Sequence, residues 1–127
     1  PLVRVPAARG KGTRVELRCP DPACNPYLVL AVCLAAGLDG IKKKLVPPAR
    51  VDRNIFEMDR NEKEALHIES LPQDLCEATK ELEKDAFVRN VLGEHVSEKY
   101  IEAKYKEWEN YRVQVTELEI EENLNRI

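Results

Sequence analysis

Residues 13–28 read TRVELRCPDPACNPYL, and within this short stretch a strand has to stop and a helix has to begin. Val15 and Leu17 alternate with Arg14, Glu16 and Arg18, the period-two pattern of a strand whose successive side chains point to opposite faces. Pro20 and Pro22, with Asp21 between them, then force an extended or turning backbone that cannot prolong the strand. Asn25 is a good N-cap, and Pro26 stands at the first helical position, where its missing N–H costs nothing. The chain is therefore predicted to pass from a charged strand, through a double-proline turn, into a helix that opens at Asn25 and runs to residues 42–44.

The charged face of that strand carries the chemistry. Alternation puts Arg14, Glu16 and Arg18 on one side, an acid between two bases. A guanidinium can hold a carboxylate or phosphoryl group in a two-point grip, and a carboxylate can ligate Mg²⁺ or Mn²⁺, so the set suits a metal–phosphate substrate. The same pattern also describes a solvated strand face with cross-strand ion pairs. Charge is divided along the chain: residues 1–50 carry a net +6 and residues 51–127 a net −9, within an overall −3. Phosphate affinity belongs to the front half, and the acidic back half argues against wrapping nucleic acid over the whole length.

Ahead of this stretch, Leu2, Val3, Arg4 and Val5 read as a strand already under way and without an initiating Met, so the sequence reads as starting inside a longer one. With the glycine-bearing turn at residues 9–12 it forms a predicted hairpin over residues 1–19, in which Gly10 and Gly12 are free to take positive φ. The helix over residues 25–44 is apolar nearly all round, and such a helix is expected to be buried at the centre of the fold. Gly37 and Gly40 would admit another backbone close by, and Lys42, Lys43 and Lys44 complement the helix dipole at its C-terminus. Residues 49–59 read as an irregular connector after Pro47 and Pro48.

Residues 70–127 read as helices and a tail. Ser70 is the expected cap of a helix that ends near Lys84, Asp85 caps a short one that Gly93 stops, and a last helix starts at residues 94–97. Its stripe of Val96, Tyr100, Ile101, Tyr105, Trp108, Tyr111, Val115 and Leu118 is expected to be packing surface. The tail, residues 116–127, carries a thinner stripe of Leu118, Ile120, Leu124 and Ile127. Cys19, Cys24, Cys33 and Cys76 lack CxxC spacing and His67 and His95 stand far apart, which argues for reduced thiols in a cytoplasmic protein and against a zinc site. No signal peptide is visible, and the longest apolar run, residues 28–38, is short of the roughly 20 residues that span a bilayer, so no membrane partner is expected. The expected class is mostly α with an N-terminal β-hairpin.

The run TRVELRCPDPACNPYLVLAVCLAAGLDGIKKKL closely resembles the C-terminal portion of bacterial type I glutamine synthetases. The likeness continues through VDRNIFEM, SLPQDLCEATKELEKD and LGEHVSEKYIEAKYKEWENYRVQVTELEIE, nearly to the last residue. It implies that residues 1–127 are the C-terminal helical part of that family's α+β catalytic domain. It implies further that Glu16 is a ligand of a divalent ion, Mg²⁺ or Mn²⁺, on the ATP phosphates. Arg18 would meet glutamate and the transferring phosphoryl group, and Arg4 and Arg14 would stand around the nucleotide phosphates. The family activates the γ-carboxylate of glutamate with ATP and displaces phosphate with ammonia. Its members form two-ring dodecamers in which the segment matching the tail reaches into the facing ring.

Two departures qualify the likeness. One branch of the family carries an adenylylated Tyr in the loop matching DRNIFEM, where this chain has Phe56, which lacks the hydroxyl that reaction needs. The other metal ligands and the ammonia-site residues lie upstream in family members, so this stretch alone is expected to be inactive. The residues by themselves leave a second reading open: a helical interaction module whose basic hairpin binds phosphorylated or nucleic-acid ligands, a mode that salt would weaken steeply.

Overall fold

Asp21 and Asn25 do the local work that the proline-rich stretch calls for. In a computed structural model, which describes residues 2–124, the Asp21 carbonyl accepts the Cys24 N–H at 2.9 Å and its carboxylate accepts the Ala23 N–H at 2.7 Å, closing the turn. The Asn25 side chain then accepts from the N–H groups of Tyr27 and Leu28 at 3.0 and 3.4 Å, and Pro26 opens helix α1, Pro26–Lys42. Before the turn, strands β1, Val3–Arg4, and β2, Glu16–Leu17, pair antiparallel with Val3 opposite Leu17 and Arg4 opposite Glu16. The Arg18 N–H, donating to the Leu2 carbonyl at 2.8 Å, extends the pairing.

The connection between the strands differs from the expectation in one respect. A 3₁₀ turn spans Gly10–Gly12, and only Gly10 takes a positive φ, 67°. Gly12 serves for space instead, since a Cβ there would lie 3.1 Å from that of Ala8.

The helix α1 stops in a Schellman motif: the Leu45 N–H reaches back to the Gly40 carbonyl and the Lys44 N–H to that of Ile41, with Lys44 itself left-handed at φ 52°. The expected burial of this helix is not found. None of its residues is buried, and Tyr27 and Ile41 are 83% and 74% exposed. Among the described residues of the unit Pro1–Leu45, the two-residue strands and their turns are the only other elements, too small to cover an all-round apolar helix. Nor does another backbone approach the glycines: a Cβ on Gly37 would meet nothing within 4 Å, and one on Gly40 only Leu45 Cδ1 at 4.0 Å.

The second compact unit, Val46–Ile127, begins with the expected irregular stretch, but two short elements interrupt it. Asn54 caps a 3₁₀ turn, Ile55–Glu57, and Asp59 forms a reciprocal capping box with Glu62 that starts α2, Arg60–Ala65. This helix ends as α1 does, with His67 left-handed at φ 52° between the Ile68-to-Lys63 and His67-to-Glu64 hydrogen bonds. Met58, 5% exposed, is buried beside it in the chain. Helix α3, Leu75–Lys84, starts later than Ser70 and is capped by Asp74, which accepts the Glu77 N–H at 2.8 Å while the Glu77 carboxylate accepts that of Gln73 at 2.9 Å. Asp85 caps α4, Ala86–Leu92, as expected, and Gly93 at φ 81° separates it from α5, Glu94–Arg112.

Helices α3, α4 and α5 pack on one another. The packed face of α5 is Ser97, Tyr100, Ile101, Lys104, Tyr105 and Trp108, a regular helical stripe displaced from the expected one at its start, since Ser97 is fully buried and Val96 is exposed. Ser97 and Thr79 are small enough to let helices approach, and each hydroxyl donates to its own helix, to the carbonyls of Glu94 and Leu75. Tyr105 donates to the Glu83 carboxylate at 2.8 Å across the α3–α5 contact, which raises the Tyr105 pKa. The stripe does not continue as one helix: α5 ends at Arg112, and a Thr116–Glu119 capping interaction starts α6, Glu117–Leu124. Ile127 of the expected tail stripe lies outside the described residues. The result is a mostly helical chain with one short antiparallel hairpin. All four cysteines are free, and among the described residues no helix is long and apolar enough to cross a membrane.

Candidate anion and metal-ligand site on the hairpin

Direct opposition of Arg4 and Glu16 sends both side chains off the same face of the ribbon, and Arg14, two residues before Glu16, joins them there. Arg4 Nη1 donates to Glu16 Oε2 at 3.0 Å. Arg14 Nε and Nη2 both reach the other oxygen, Oε1, at 2.9 and 2.7 Å. Arg14 Nη1 also donates to the Gly12 carbonyl at 3.2 Å, which ties the guanidinium to the 3₁₀ turn. Each carboxylate oxygen thus has its own guanidinium. The Glu16 side chain is 24% exposed against 47% for Arg4 and 52% for Arg14, so the acid sits lower and the bases stay open to solvent.

The electrostatic consequence follows from the contacts. Hydrogen bonds from the Arg14 guanidinium first, and from Arg4 second, hold the Glu16 carboxyl below the usual carboxylate range. Of the four residues singled out in the sequence, the structure brings together Arg4, Arg14 and Glu16 and leaves Arg18 apart. Arg18 is exposed, and its side chain has no hydrogen bond or ion pair among the described residues. The partner that sequence alternation alone could not supply is Arg4, because it comes from the other strand and depends on the hairpin register.

A divalent ion does not fit this donor set as it stands. Both Glu16 oxygens are engaged by cations, and among the described residues no group of three His, Cys, Asp or Glu side chains could hold a metal. Elsewhere, Lys43 is paired with Asp39 at 2.7 Å at the end of α1, and Phe56 stands 96% exposed on its 3₁₀ turn. A separate polar cleft of about 300 Å³ is lined by Ala86, Arg89, Asn90, Glu94 and Ser97, with Arg89 Nε buried and unpartnered.

Residues 1–123 match the family described as glutamine synthetase, catalytic domain. The chain belongs to that family. It is 55% identical over 118 residues to the glutamine synthetase of Methanocaldococcus jannaschii, covering 93% of this chain and 26% of that protein. With those of Clostridium saccharobutylicum and Thermotoga maritima it shares 52% and 51% identity, over 98% and 97% of this chain and 28% of each relative. Among solved structures, apo GmaS without ligand superposes with a TM-score of 0.76 at 38% identity, over 98% of this chain and 27% of that one. The chain therefore spans about a quarter of the length of the glutamine synthetases it matches, and Arg4, Arg14, Glu16 and Arg18 all lie inside the matched residues.

Proposed function

We propose that this chain is the C-terminal part of a glutamine synthetase catalytic domain of the bacterial type I kind, and that it contributes phosphate- and metal-binding residues to a glutamate–ammonia ligase. The observation that carries the reading is the Arg4–Glu16–Arg14 cluster on the hairpin just ahead of the PDP turn, in a chain that belongs to the family. In this reading Arg4 and Arg14 bind the ATP phosphates. Arg18, exposed and without a side-chain partner among the described residues, takes the γ-carboxylate of glutamate and the transferring phosphoryl group.

The work of these groups is positioning and electrostatics. Phosphoryl transfer from ATP to the γ-carboxylate spreads negative charge over the phosphoryl oxygens, and fixed guanidiniums neutralise it without reorganising. Ammonia then displaces phosphate and leaves glutamine. Once released from Arg4 and Arg14, Glu16 would serve as one ligand of an Mg²⁺ or Mn²⁺ ion whose remaining ligands would come from outside these residues. The ion would add further charge neutralisation at the phosphates. The parent enzyme is read as a cytoplasmic homo-oligomer, a dodecamer, with the 116–127 tail on a neighbouring subunit, and Phe56 offers no hydroxyl for adenylylation at the matching position.

The test is ATP- and glutamate-dependent phosphate release with ammonia. The 127-residue chain alone is expected to show none above background, and turnover by it would contradict the partial-site reading. In the full-length enzyme, Arg18→Lys is expected to lose most of the rate, because an ammonium cannot reproduce the two-point grip. Glu16→Gln is expected to shift the metal dependence to higher concentration. Wild-type kinetics for either variant would refute its assigned role.

A further inference from the structure

Glu16 occupies the very groups that an incoming phosphate would need. Its two oxygens take a single Arg4 nitrogen on one side and the paired Nε and Nη2 of Arg14 on the other, at 2.7 to 3.0 Å, while both arginines remain about half exposed. A carboxylate and a phosphate present the same kind of acceptor pair to a guanidinium, so they compete for it directly. The arrangement has little to lose by exchange, because ion pairs at this exposure are individually weak. It also has something to gain: guanidiniums already aimed by a neighbour and tied to the turn through the Gly12 carbonyl lose less freedom when a ligand arrives.

We propose that Glu16 is a built-in placeholder anion, a positioning residue that holds Arg4 and Arg14 in their ligand-ready places and is displaced from them by a polyphosphate. The inference rests on the reading of Arg4 and Arg14 as phosphate-binding groups and adds to it a competition within the chain itself. Two features of the hairpin make the competition specific. The Arg4 contact is fixed by strand register, directly across from Glu16, and Arg14, two residues before Glu16, is anchored by its hydrogen bond to the Gly12 carbonyl. The carboxylate must therefore reach both guanidiniums at once, and its length matters as much as its charge.

The experiment titrates inorganic triphosphate, without divalent ions, into the 127-residue chain and its Glu16→Gln and Glu16→Asp variants. Affinity is read by calorimetry, and the Arg14 Nε–Hε resonance is followed by NMR. Glu16→Gln is expected to bind triphosphate more tightly by roughly twofold to thirtyfold, the range set by two exposed ion pairs, because displacing the carboxylate costs more than its aiming of the arginines returns. Glu16→Asp keeps the charge but is one methylene short of bridging both arginines, and it is expected to move in the same direction. In the wild-type chain the Arg14 resonance is expected to shift as triphosphate is added and, before addition, to differ from its position in Glu16→Gln. If Glu16→Asp binds like wild type while Glu16→Gln binds more tightly, the effect is general charge repulsion and the placeholder is overturned. Equal binding by all three also overturns it, and leaves the phosphate-binding reading standing. Binding by none overturns the phosphate reading in this chain, and the placeholder with it.

Discussion

Glu16 carries a pH dependence whose sign follows from its partners. Its carboxyl is held below the ordinary range by Arg14 and then Arg4, so the interaction is fully present above the unfolded-state pKa and is lost as pH falls through the lower folded value. The hairpin pairing should therefore loosen in acid, in the window from the ordinary carboxylate range downward. Side-chain carbon NMR of Glu16 should give a depressed midpoint that Arg14→Ala raises more than Arg4→Ala does. A midpoint indifferent to Arg14 would refute the assignment of causes. At this scale the sequence was informative about residue types and silent about partners. Alternation along 14–18 identified the charged face, but Arg4 enters through a register that only the folded hairpin defines, and Arg18 shares the strand pattern without sharing the contact.

Elements were legible where a capping residue adjoins an apolar stripe, and the left-handed residues that close α1 and α2 were not. Asn25 with Pro26, and Asp85 with Gly93, mark their boundaries by residue type, and the structure places them there. Asp59 and Glu62 are also a capping pair in plain view, yet α2 was unreadable because RNEKEA has no apolar stripe to give it a helical period. At α3, Ser70 and Asp74 are both competent caps, each with a Gln or Glu three residues on, and residue type does not say that the backbone uses Asp74. The Schellman ends at Lys44 and His67 carry no glycine, so nothing in the sequence announces the left-handed residue. Each of these residues bears a steric penalty that glycine lacks, and Lys44→Gly and His67→Gly are each expected to stabilise by up to about 1 kcal/mol in chemical denaturation. Gly93→Ala should do the opposite. Its φ of 81° with ψ 153° lies in territory open almost only to glycine. A Cβ there would touch nothing within 4 Å, so the whole effect is conformational. A loss of about 1–3 kcal/mol is expected, and a neutral Gly93→Ala would show that the backbone relaxes without penalty.

For the whole molecule, the misreading of α1 as a buried helix and the behaviour of the chain in solution have the same cause. An all-round apolar composition states that a helix needs covering on every side, not that this stretch of chain supplies the cover. Here the half-buried side holds Leu28, Val29, Val32, Cys33 and Ala35, while Tyr27, Leu30, Leu34, Leu38 and Ile41 line the opposite side at helical spacing, each 47% exposed or more. A continuous apolar stripe of that kind on a 17-residue helix is the seam along which helices associate. The short strands and the residues beside them add exposed Val3, Val5, Val15 and Leu17, with edges of a two-stranded ribbon that no other strand among the described residues pairs. The 127-residue chain should therefore self-associate, with a sedimentation coefficient that rises with concentration over the micromolar range. Leu30→Glu with Leu34→Glu puts two carboxylates one turn apart in the middle of the stripe and leaves the Asn25 cap and the Schellman end untouched, so helix content should persist while the assembly weakens. Retained association in that double variant would move the contact to the strand edges, where deleting residues 1–13 should abolish it. A strictly monomeric, concentration-independent intact chain would show that neither surface is sticky enough to matter, and that the exposed stripe of α1 is tolerated in water as it stands.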